Sequence, residues 1–311
     1  MTTLTHHLDT YLQLRHQLGF KLKDAGLMLR NFVQFAQEQR ASFITTKVAL
    51  RWATRPDNIK PKQRAVRLGV VRRFAEYLSA FDPRTEIPAR KLLPFQYRRP
   101  NPYLYRDDEV LRLIQATRHI DKSNAAKCAT YATLFGLLAV TGMRVGEAIA
   151  LDCKDVDLDH GVLTIPKAKG NKSRLVPLHP STGQALQRYL DIRTNHRPRP
   201  SSSSFFISEN GTRLWYGTVN RWFLVLSRRI GLREPGASCG PRLYDLRHRF
   251  AIRTLVDWYR SDLAVDAHLP ELATYLGHIH VNDTYWYLSA APELLQQAML
   301  RWQRVERTRQ S

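Results

Sequence analysis

The 311-residue sequence contains only three cysteines, at widely separated positions. Cys128, Cys153 and Cys239 match neither the ligand spacing of a zinc site nor the paired pattern of a disulfide framework. Scattered, unpaired thiols are typical of proteins from reducing compartments. We therefore expect a cytoplasmic protein without structural disulfides.

Long apolar runs are also missing. The sequence contains no run of about 18 apolar residues, so it predicts no membrane-spanning helix. Residues 1–9 have no apolar signal segment, and none is expected. The hydrophobic share of 43% is nevertheless enough for real cores, and the length predicts one large or two medium domains.

Acidic residues are scarce relative to basic ones. The chain has 27 Asp and Glu against 48 Lys and Arg, a formal net charge of +21 at pH 7. Such a surplus indicates a polyanionic partner, with nucleic acid ahead of an acidic membrane surface. Because the basic residues are spread through helical stretches rather than gathered in a tail, a folded DNA-binding surface is favoured.

Residues 1–100 are the more basic part, with 19 Lys and Arg against 7 Asp and Glu. Apolar stripes at helical spacing predict helices within 4–18, 27–36, 48–53 and 66–81. The polar side of the last one is basic, and it is either a solvated face or, as we prefer, a phosphate-contacting one. Its basic residues are Lys60, Lys62, Arg64, Arg67, Arg72 and Arg73.

Five prolines lie between residues 82 and 102, where they stop helices and favour extended chain. We predict an interdomain linker over 83–102, between a helical domain over 1–82 and a second domain over 103–311. Arg98 and Arg99 in this linker are expected to lie along DNA phosphates.

The second domain is predicted to be mostly helical with a small β-hairpin, which makes the fold class α+β. An apolar helix over 125–140 ends at Thr141-Gly142. Strands over 162–165 and 175–178 form a hairpin with Lys169 at its tip, and a short strand is predicted over 205–207. Helices are predicted near 218–230, 243–259, 270–276 and 291–305.

Several groups along this domain suit phosphodiester chemistry. Arginine is the metal-free way to stabilise charge on phosphate, because its planar fork matches two oxygens. A metal would need clustered carboxylates, and the one acidic cluster fits a solvated turn better. That cluster consists of Asp152, Asp155, Asp157 and Asp159. The pair His278 and His280 has no third ligand in view, so we expect neither a metal nor another cofactor.

Four motifs occur in one order along the chain. Arg144 lies in Thr141-Gly142-Met143-Arg144-Val145-Gly146-Glu147, Lys169 in Lys169-Gly170-Asn171-Lys172, and Arg247 in Tyr244-Asp245-Leu246-Arg247-His248. Leu276-Gly277-His278 follows, with Tyr287 nine residues after the histidine. This set resembles the catalytic domain of tyrosine recombinases, the phage-integrase family, loosely over the whole chain and closely from about Tyr103 onward.

The resemblance implies a site-specific DNA recombinase or integrase of the bacterial nucleoid, with residues 1–82 as a core-binding domain. It implies that Tyr287 attacks the phosphate to give a 3′-phosphotyrosyl link, that Lys169 is the general acid, and that no metal or ATP is needed. Arg144, Arg247 and His278 would contact the phosphate, and Lys172 and Arg174 would bind DNA. The partners would be double-stranded DNA and, in a tetramer on two sites, other copies of the chain.

One position departs from the family pattern and several alternatives stay open. The usual histidine three residues before Arg247 is Tyr244, whose phenol can donate a hydrogen bond but carries no positive charge. This change favours a DNA-binding accessory protein with weak activity as an alternative, beside a phosphotyrosyl topoisomerase or resolvase. Tyr285 and Tyr275 compete with Tyr287 as nucleophile, and Arg144 is alternatively a surface partner of Glu147.

The last predicted helix carries an apolar stripe. Within one chain this stripe would complete the core, and in the family such a tail packs on a neighbouring protomer. Its members are Leu294, Leu295, Ala298, Met299, Trp302 and Val305.

Overall fold

A computed structural model describes residues 3–55, 57–93, 101–121, 123–166, 173–197, 201–237, 239–261, 263–290 and 292–310. The chain divides into two compact units, Met1–Pro100 and Asn101–Ser311. Within the described ranges, no helix combines the length and the apolar character needed to cross a membrane.

The first unit is a bundle of helices: α1 Leu4–Gln17, α2 Lys23–Glu38, α3 Thr46–Thr54 and α4 Pro61–Leu78. The helices expected from the four apolar stripes are confirmed. Leu8, Phe32, Trp52 and Phe74 meet in one buried core. Burial of the stripes, at roughly 1.5–3 kcal/mol for each large side chain, is what holds these short helices in place.

The second unit begins with α5 Asp107–Ala116, α6 Ala125–Thr141 and α7 Val145–Ala150. An antiparallel sheet follows, in the order β1 Val156–Asp157, β2 Val162–Ile165 and β3 Arg174–Pro177. The chain then forms α8 Pro180–His196, α9 Tyr216–Arg229 and α10 Asp245–Arg260. It ends with α11 Val265–Leu276, α12 Asn282–Ala290 and α13 Pro292–Gln310.

The predicted hairpin is confirmed in its strands. Leu163 of β2 pairs with Val176 of β3, and both side chains are buried, whereas Leu175 of β3 points outward and is 64% exposed. Ile165 pairs with Arg174, so the arginine is the first residue of β3. The loop that carries Lys169 and Lys172 lies outside the described residues.

Three local predictions were wrong. Residues 205–207 form no strand, because Phe205 and Phe206 insert their fully buried rings edge to face into the core and only isolated bridges flank them. Helix α11 begins at Val265 rather than near residue 270, with Pro270 inside it. Helix α12 was not predicted at all, although it carries Tyr287.

Glycine is required where α6 ends. Gly142 has φ +60, and a Cβ added there would lie 2.5 Å from Cδ1 of Phe250. We expect Gly142→Ala to destabilise the second unit by roughly 1–3 kcal/mol, through backbone strain and overpacking, and to lower the unfolding temperature. Gly183→Ala is the control, because nothing lies within 4 Å of the added Cβ in α8. Equal unfolding temperatures for the two variants would contradict the assignment.

Candidate active site

Arg144 is placed by the turn that Gly142 makes possible. It has extended backbone geometry (φ −71, ψ 141) immediately before α7 begins. Its Nη1 donates to Oε1 of Glu147 at 2.7 Å, and its Nη2 donates to the carbonyl of Gly277 at 2.8 Å. The guanidinium therefore pairs with Glu147, which was the alternative interpretation of Arg144 from the sequence. It also binds the backbone next to His278.

Glu147 is a partly buried carboxylate that binds both Arg144 and Arg174. Its Oε2 accepts from the backbone N–H of Arg144 at 2.9 Å, which is half of a capping box at the start of α7. Burial by itself would raise the pKa of Glu147. Hydrogen bonds from Arg174 and from the Arg144 backbone outweigh burial and hold the pKa below its ordinary value, so the carboxylate is charged.

Arg247 lies in the first turn of α10 and is 1% exposed. Its Nη1 donates to the carbonyl of Gly142 at 2.9 Å and its Nη2 to the carbonyl of Leu276 at 2.7 Å. These two hydrogen bonds hold the planar guanidinium of Arg247 between the turn that precedes Arg144 and the end of α11. Two of its five N–H groups are used in this way, so donors remain for a phosphate oxygen.

The electrostatics of Arg247 show which side chains surround it. Burial lowers the pKa of Arg247, and the nearby Arg144 acts in the same direction. The Tyr287 and Tyr244 phenols act in the opposite direction, as does Glu147. A guanidinium stays protonated under such shifts. A buried positive charge therefore interacts electrostatically with the Tyr287 phenol.

Tyr244, the residue that replaces the expected histidine, precedes α10 as its N-cap. It is 40% exposed, and its ring meets His248 edge to face with centroids 4.9 Å apart. His248 is buried, as expected for a packing histidine, and its ring lies 5.5 Å from that of Tyr287. The rings of Tyr244, His248 and Tyr287 thus form a row that connects the position that departs from the family pattern to the candidate nucleophile.

His278 is positioned by the left-handed end of α11. Gly277 has φ 68 and ψ 44, and the backbone N–H of His278 donates to the carbonyl of Ala273 at 2.9 Å. Nδ1 of His278 lies 2.7 Å from Oγ1 of the buried Thr284. The imidazole, a titratable ring, is thereby oriented by Thr284 of α12. The residue before it, Gly277, is bound by Arg144.

Tyr287 is fully buried, and its ring is nearly parallel to that of His278 at a centroid distance of 6.1 Å and an interplanar angle of 19°. Tyr285, on the same helix, is 45% exposed. Tyr275 stacks on Phe250, and burial raises its pKa to about 12 despite the nearby Arg174 and Arg247, which disfavours a phenolate there. The geometry favours Tyr287 over both competitors.

The structure brings Arg144, Tyr244, Arg247, His278 and Tyr287 together within one chain. Lys169, Lys172, Arg98 and Arg99 lie outside the described residues, so their roles stay predictions. Arg174 was expected on the DNA, yet its side chain is 8% exposed and forms a 2.7 Å ion pair with Glu147.

The predicted basic face of the first unit is partly engaged with the protein. Lys60 and Lys62 are exposed at the start of α4. Arg67 lies 3.9 Å above the Trp52 ring and donates to its carbonyl at 2.8 Å, while Arg64 donates to the carbonyl of Asp57. Lys60, Lys62 and the likewise exposed Arg73 are therefore the more accessible members for a phosphate.

Three members of the acidic cluster have partners within the protein. Asp152 pairs with Arg213 at 2.7 Å, and Asp155 accepts from the Asp152 backbone at 2.9 Å. Asp157 lies 2.9 Å from Nδ1 of His160. Among the residues that the structure describes, no three acidic, histidine or cysteine side chains converge as a metal site would require.

Sequence reasoning missed two supporting residues, Glu147 as the anchor of two arginines and Thr284 as the partner of His278. The spacing of Arg144 and Glu147 is that of a capping box, which was the one available signal for the first. No local pattern points to Thr284.

Residues 104–293 match the phage integrase family. Over 309 residues the chain is 46% identical to a Sinorhizobium fredii (strain NBRC 101917 / NGR234) protein named as an integrase/recombinase, y4rB, with 98% of each chain covered. The chain therefore belongs to the phage integrase family, and it is an enzyme of the tyrosine-type site-specific recombinase class.

More distant relatives agree. The tyrosine recombinase XerC of Thermodesulfovibrio yellowstonii (strain ATCC 51303 / DSM 11347 / YP87) is 30% identical over 227 residues, which cover 72% of this chain and 69% of XerC. The Tn1549 transposon integrase, solved in complex with a circular intermediate DNA, superimposes with a TM-score of 0.66 at 15% identity. That match covers 95% of this chain and 99% of the integrase, and it concerns the fold.

Proposed function

We propose that the protein cuts and rejoins double-stranded DNA through a 3′-phosphotyrosyl intermediate, with Tyr287 as the nucleophile. One observation carries the proposal: the buried Tyr287 ring is stacked on that of His278 in the same chain. The Tyr287 phenol also acts electrostatically on the buried guanidinium of Arg247, where it opposes the lowering of the pKa by burial. A phenol is a weak nucleophile at neutral pH, so a cationic surrounding is what its chemistry requires.

In the proposed step, the phenolic oxygen of Tyr287 bonds to phosphorus while the bond from phosphorus to the 5′-oxygen breaks. Arg144 and Arg247 stabilise the charge on the non-bridging oxygens, and Lys169 protonates the departing 5′-oxygen. His278 donates to a non-bridging oxygen. One phosphodiester replaces another, so a 5′-hydroxyl from a second duplex reverses the step and exchanges strands.

Tyr244 has a smaller role in this scheme than the histidine it replaces. Its phenol can donate a hydrogen bond to phosphate, and its ring supports His248, which contacts Tyr287. We assign it to positioning. Because Tyr287 is fully buried, DNA binding has to make its phenol accessible.

The proposed partners are duplex DNA and further copies of this chain. The charge surplus supports DNA, as does the DNA-bound Tn1549 integrase. The apolar stripe of α13 bears on assembly, because Leu294 is buried whereas three other members of the stripe are exposed. Leu295, Met299 and Trp302 are about 60% exposed and offer an apolar face to another protomer in the proposed tetramer.

The test is a covalent trap. A binding site selected from random duplexes by affinity for the protein would be synthesised with a bridging 5′-phosphorothiolate, whose sulfur leaving group does not religate. We expect a protein–DNA adduct whose peptide map contains Tyr287. Binding without an adduct would indicate the accessory protein instead. Adducts without joints between two sites would indicate a topoisomerase or resolvase.

Chelation provides a further prediction. Because two guanidiniums supply the charge stabilisation, EDTA should leave the rate of adduct formation unchanged. A matched reaction with added Mg²⁺ controls for effects of the chelator on DNA. Loss of cleavage in EDTA that Mg²⁺ restores would contradict the proposed roles of Arg144 and Arg247.

A further inference from the structure

Arg174 stands where the hairpin returns from the loop that contains Lys169. Its guanidinium is turned into the second unit, with 8% of the side chain exposed. Nη1 donates to Oε1 of Glu147 at 3.1 Å and Nη2 to Oε2 at 2.7 Å, a two-pronged ion pair. Nε donates to the carbonyl of Tyr275 at 2.8 Å, so one side chain joins β3, α7 and α11.

Gly277 lies between two arginines. Its carbonyl accepts Nη2 of Arg144 at 2.8 Å, and a Cβ added to it would lie 2.8 Å from Nη1 of Arg174. Glycine at this position thus serves the close approach of Arg174 as well as the φ of +68 that ends α11. Arg144 thus holds Gly277, the residue before His278, by a hydrogen bond, while Arg174 lies close to Gly277 and is bound to the carbonyl of Tyr275 two residues earlier.

The charges give this arrangement a consequence for phosphate binding. Glu147 alone would neutralise Arg144, because its Oε1 is 2.7 Å from Nη1 of that arginine. With Arg174 on the same carboxylate, one negative charge is shared between two positive ones. A net positive charge therefore remains at Arg144, in a partly buried site where screening by water is weak.

We propose that Arg174 is a positioning residue for DNA cleavage, which holds Glu147 and the end of α11 so that Arg144 keeps its place and its charge for the scissile phosphate. The inference rests on the proposed function. It differs from the expectation from sequence, in which Arg174 contacts DNA phosphates directly.

Salt dependence separates the two roles. Loss of a direct phosphate contact reduces the slope of log affinity against log salt by about one. Loss of an internal positioning contact leaves that slope unchanged and lowers the cleavage rate at saturating protein. We expect Arg174→Met to keep the salt slope and to cleave roughly 10²-fold more slowly, the scale of a misplaced catalytic group.

Three companion variants complete the experiment. Arg174→Lys keeps the charge without the planar fork and should lie between wild type and Arg174→Met. Arg174→Met combined with Glu147→Gln removes both charges, so it should cleave faster than Arg174→Met alone. Arg193→Met is the matched control, because this buried arginine of α8 likewise donates to a backbone carbonyl, that of Ser204 at 2.9 Å.

The inference is overturned if Arg174→Met cleaves like wild type, if its salt slope falls by about one, or if the double variant is no faster than Arg174→Met. Thermal unfolding of Arg174→Met and Arg174→Lys shows whether slower cleavage comes from loss of the folded state. If wild type itself forms no adduct, the proposed function fails, and the salt slope still decides whether Arg174 contacts DNA.

Discussion

Replacing Tyr287 with phenylalanine should abolish the covalent adduct while DNA binding persists. The substitution removes one oxygen from a fully buried ring and keeps the contacts with His248 and His278. Without the phenolic oxygen no phosphotyrosyl bond can form, so adduct formation should fall by more than about 10³-fold. Affinity should stay within about twofold, roughly 0.4 kcal/mol. The measurement pairs adduct trapping on denaturing gels with equilibrium binding.

Tyr285→Phe is the matched control, two residues away on the same helix. Its ring is 45% exposed, so its hydroxyl should be dispensable for cleavage. If Tyr287→Phe still forms the adduct and Tyr285→Phe does not, the nucleophile has been misassigned. Loss of the adduct in both variants, with intact binding, would point to a disturbed α12 and would require peptide mapping of the wild-type adduct.

The part of the site that follows local rules was predictable from sequence. Arg144 can be placed without knowledge of the rest of the fold, because an apolar helix ends at Gly142 and Arg144 immediately precedes the next helix. Gly277 places His278 in the same way at the end of α11. Glycine in a left-handed helix ending has a local cause, so its position in the sequence is informative.

Helix α12 shows where such rules fail. Its run of threonine, tyrosine and tryptophan favours strand by intrinsic preference, yet residues 282–290 are helical. The Tyr287 ring belongs to the buried core that α10 and α11 form with it. Tertiary packing overrides local preference here, and it also sets the orientation of Tyr287, the proposed nucleophile.

Arg174 and Arg247 show the second limit. The sequence predicts phosphate or DNA contacts for both, which stay predictions, and the structure adds partners within the protein that are far away in the sequence. Arg174 meets a carboxylate 27 positions earlier, and Arg247 meets a carbonyl 105 positions earlier. Hydropathy and spacing cannot identify such partners, so the intramolecular contacts of these arginines emerge only from the fold.

Replacing Arg247 with lysine should nearly stop cleavage although the charge is retained. The planar fork binds the carbonyls of Gly142 and Leu276 and still presents donors to phosphate, which a single ammonium cannot do. Loss of one preorganised donor costs on the order of 10²–10³ in rate, and we expect a loss in that range for adduct formation at saturating protein. Affinity should fall only modestly, because the charge remains.

Stability has to be measured beside the rate, since Arg247 also holds two segments together. The lost hydrogen bonds of a buried charged group correspond to about 1–3 kcal/mol, so the unfolding temperature should fall. Arg253→Lys is the control on the same helix: its side chain is 54% exposed and pairs with Asp107, an interaction worth roughly 0–1 kcal/mol. A folded Arg247→Lys protein that cleaves within about tenfold of wild type would show that phosphate charge is stabilised elsewhere.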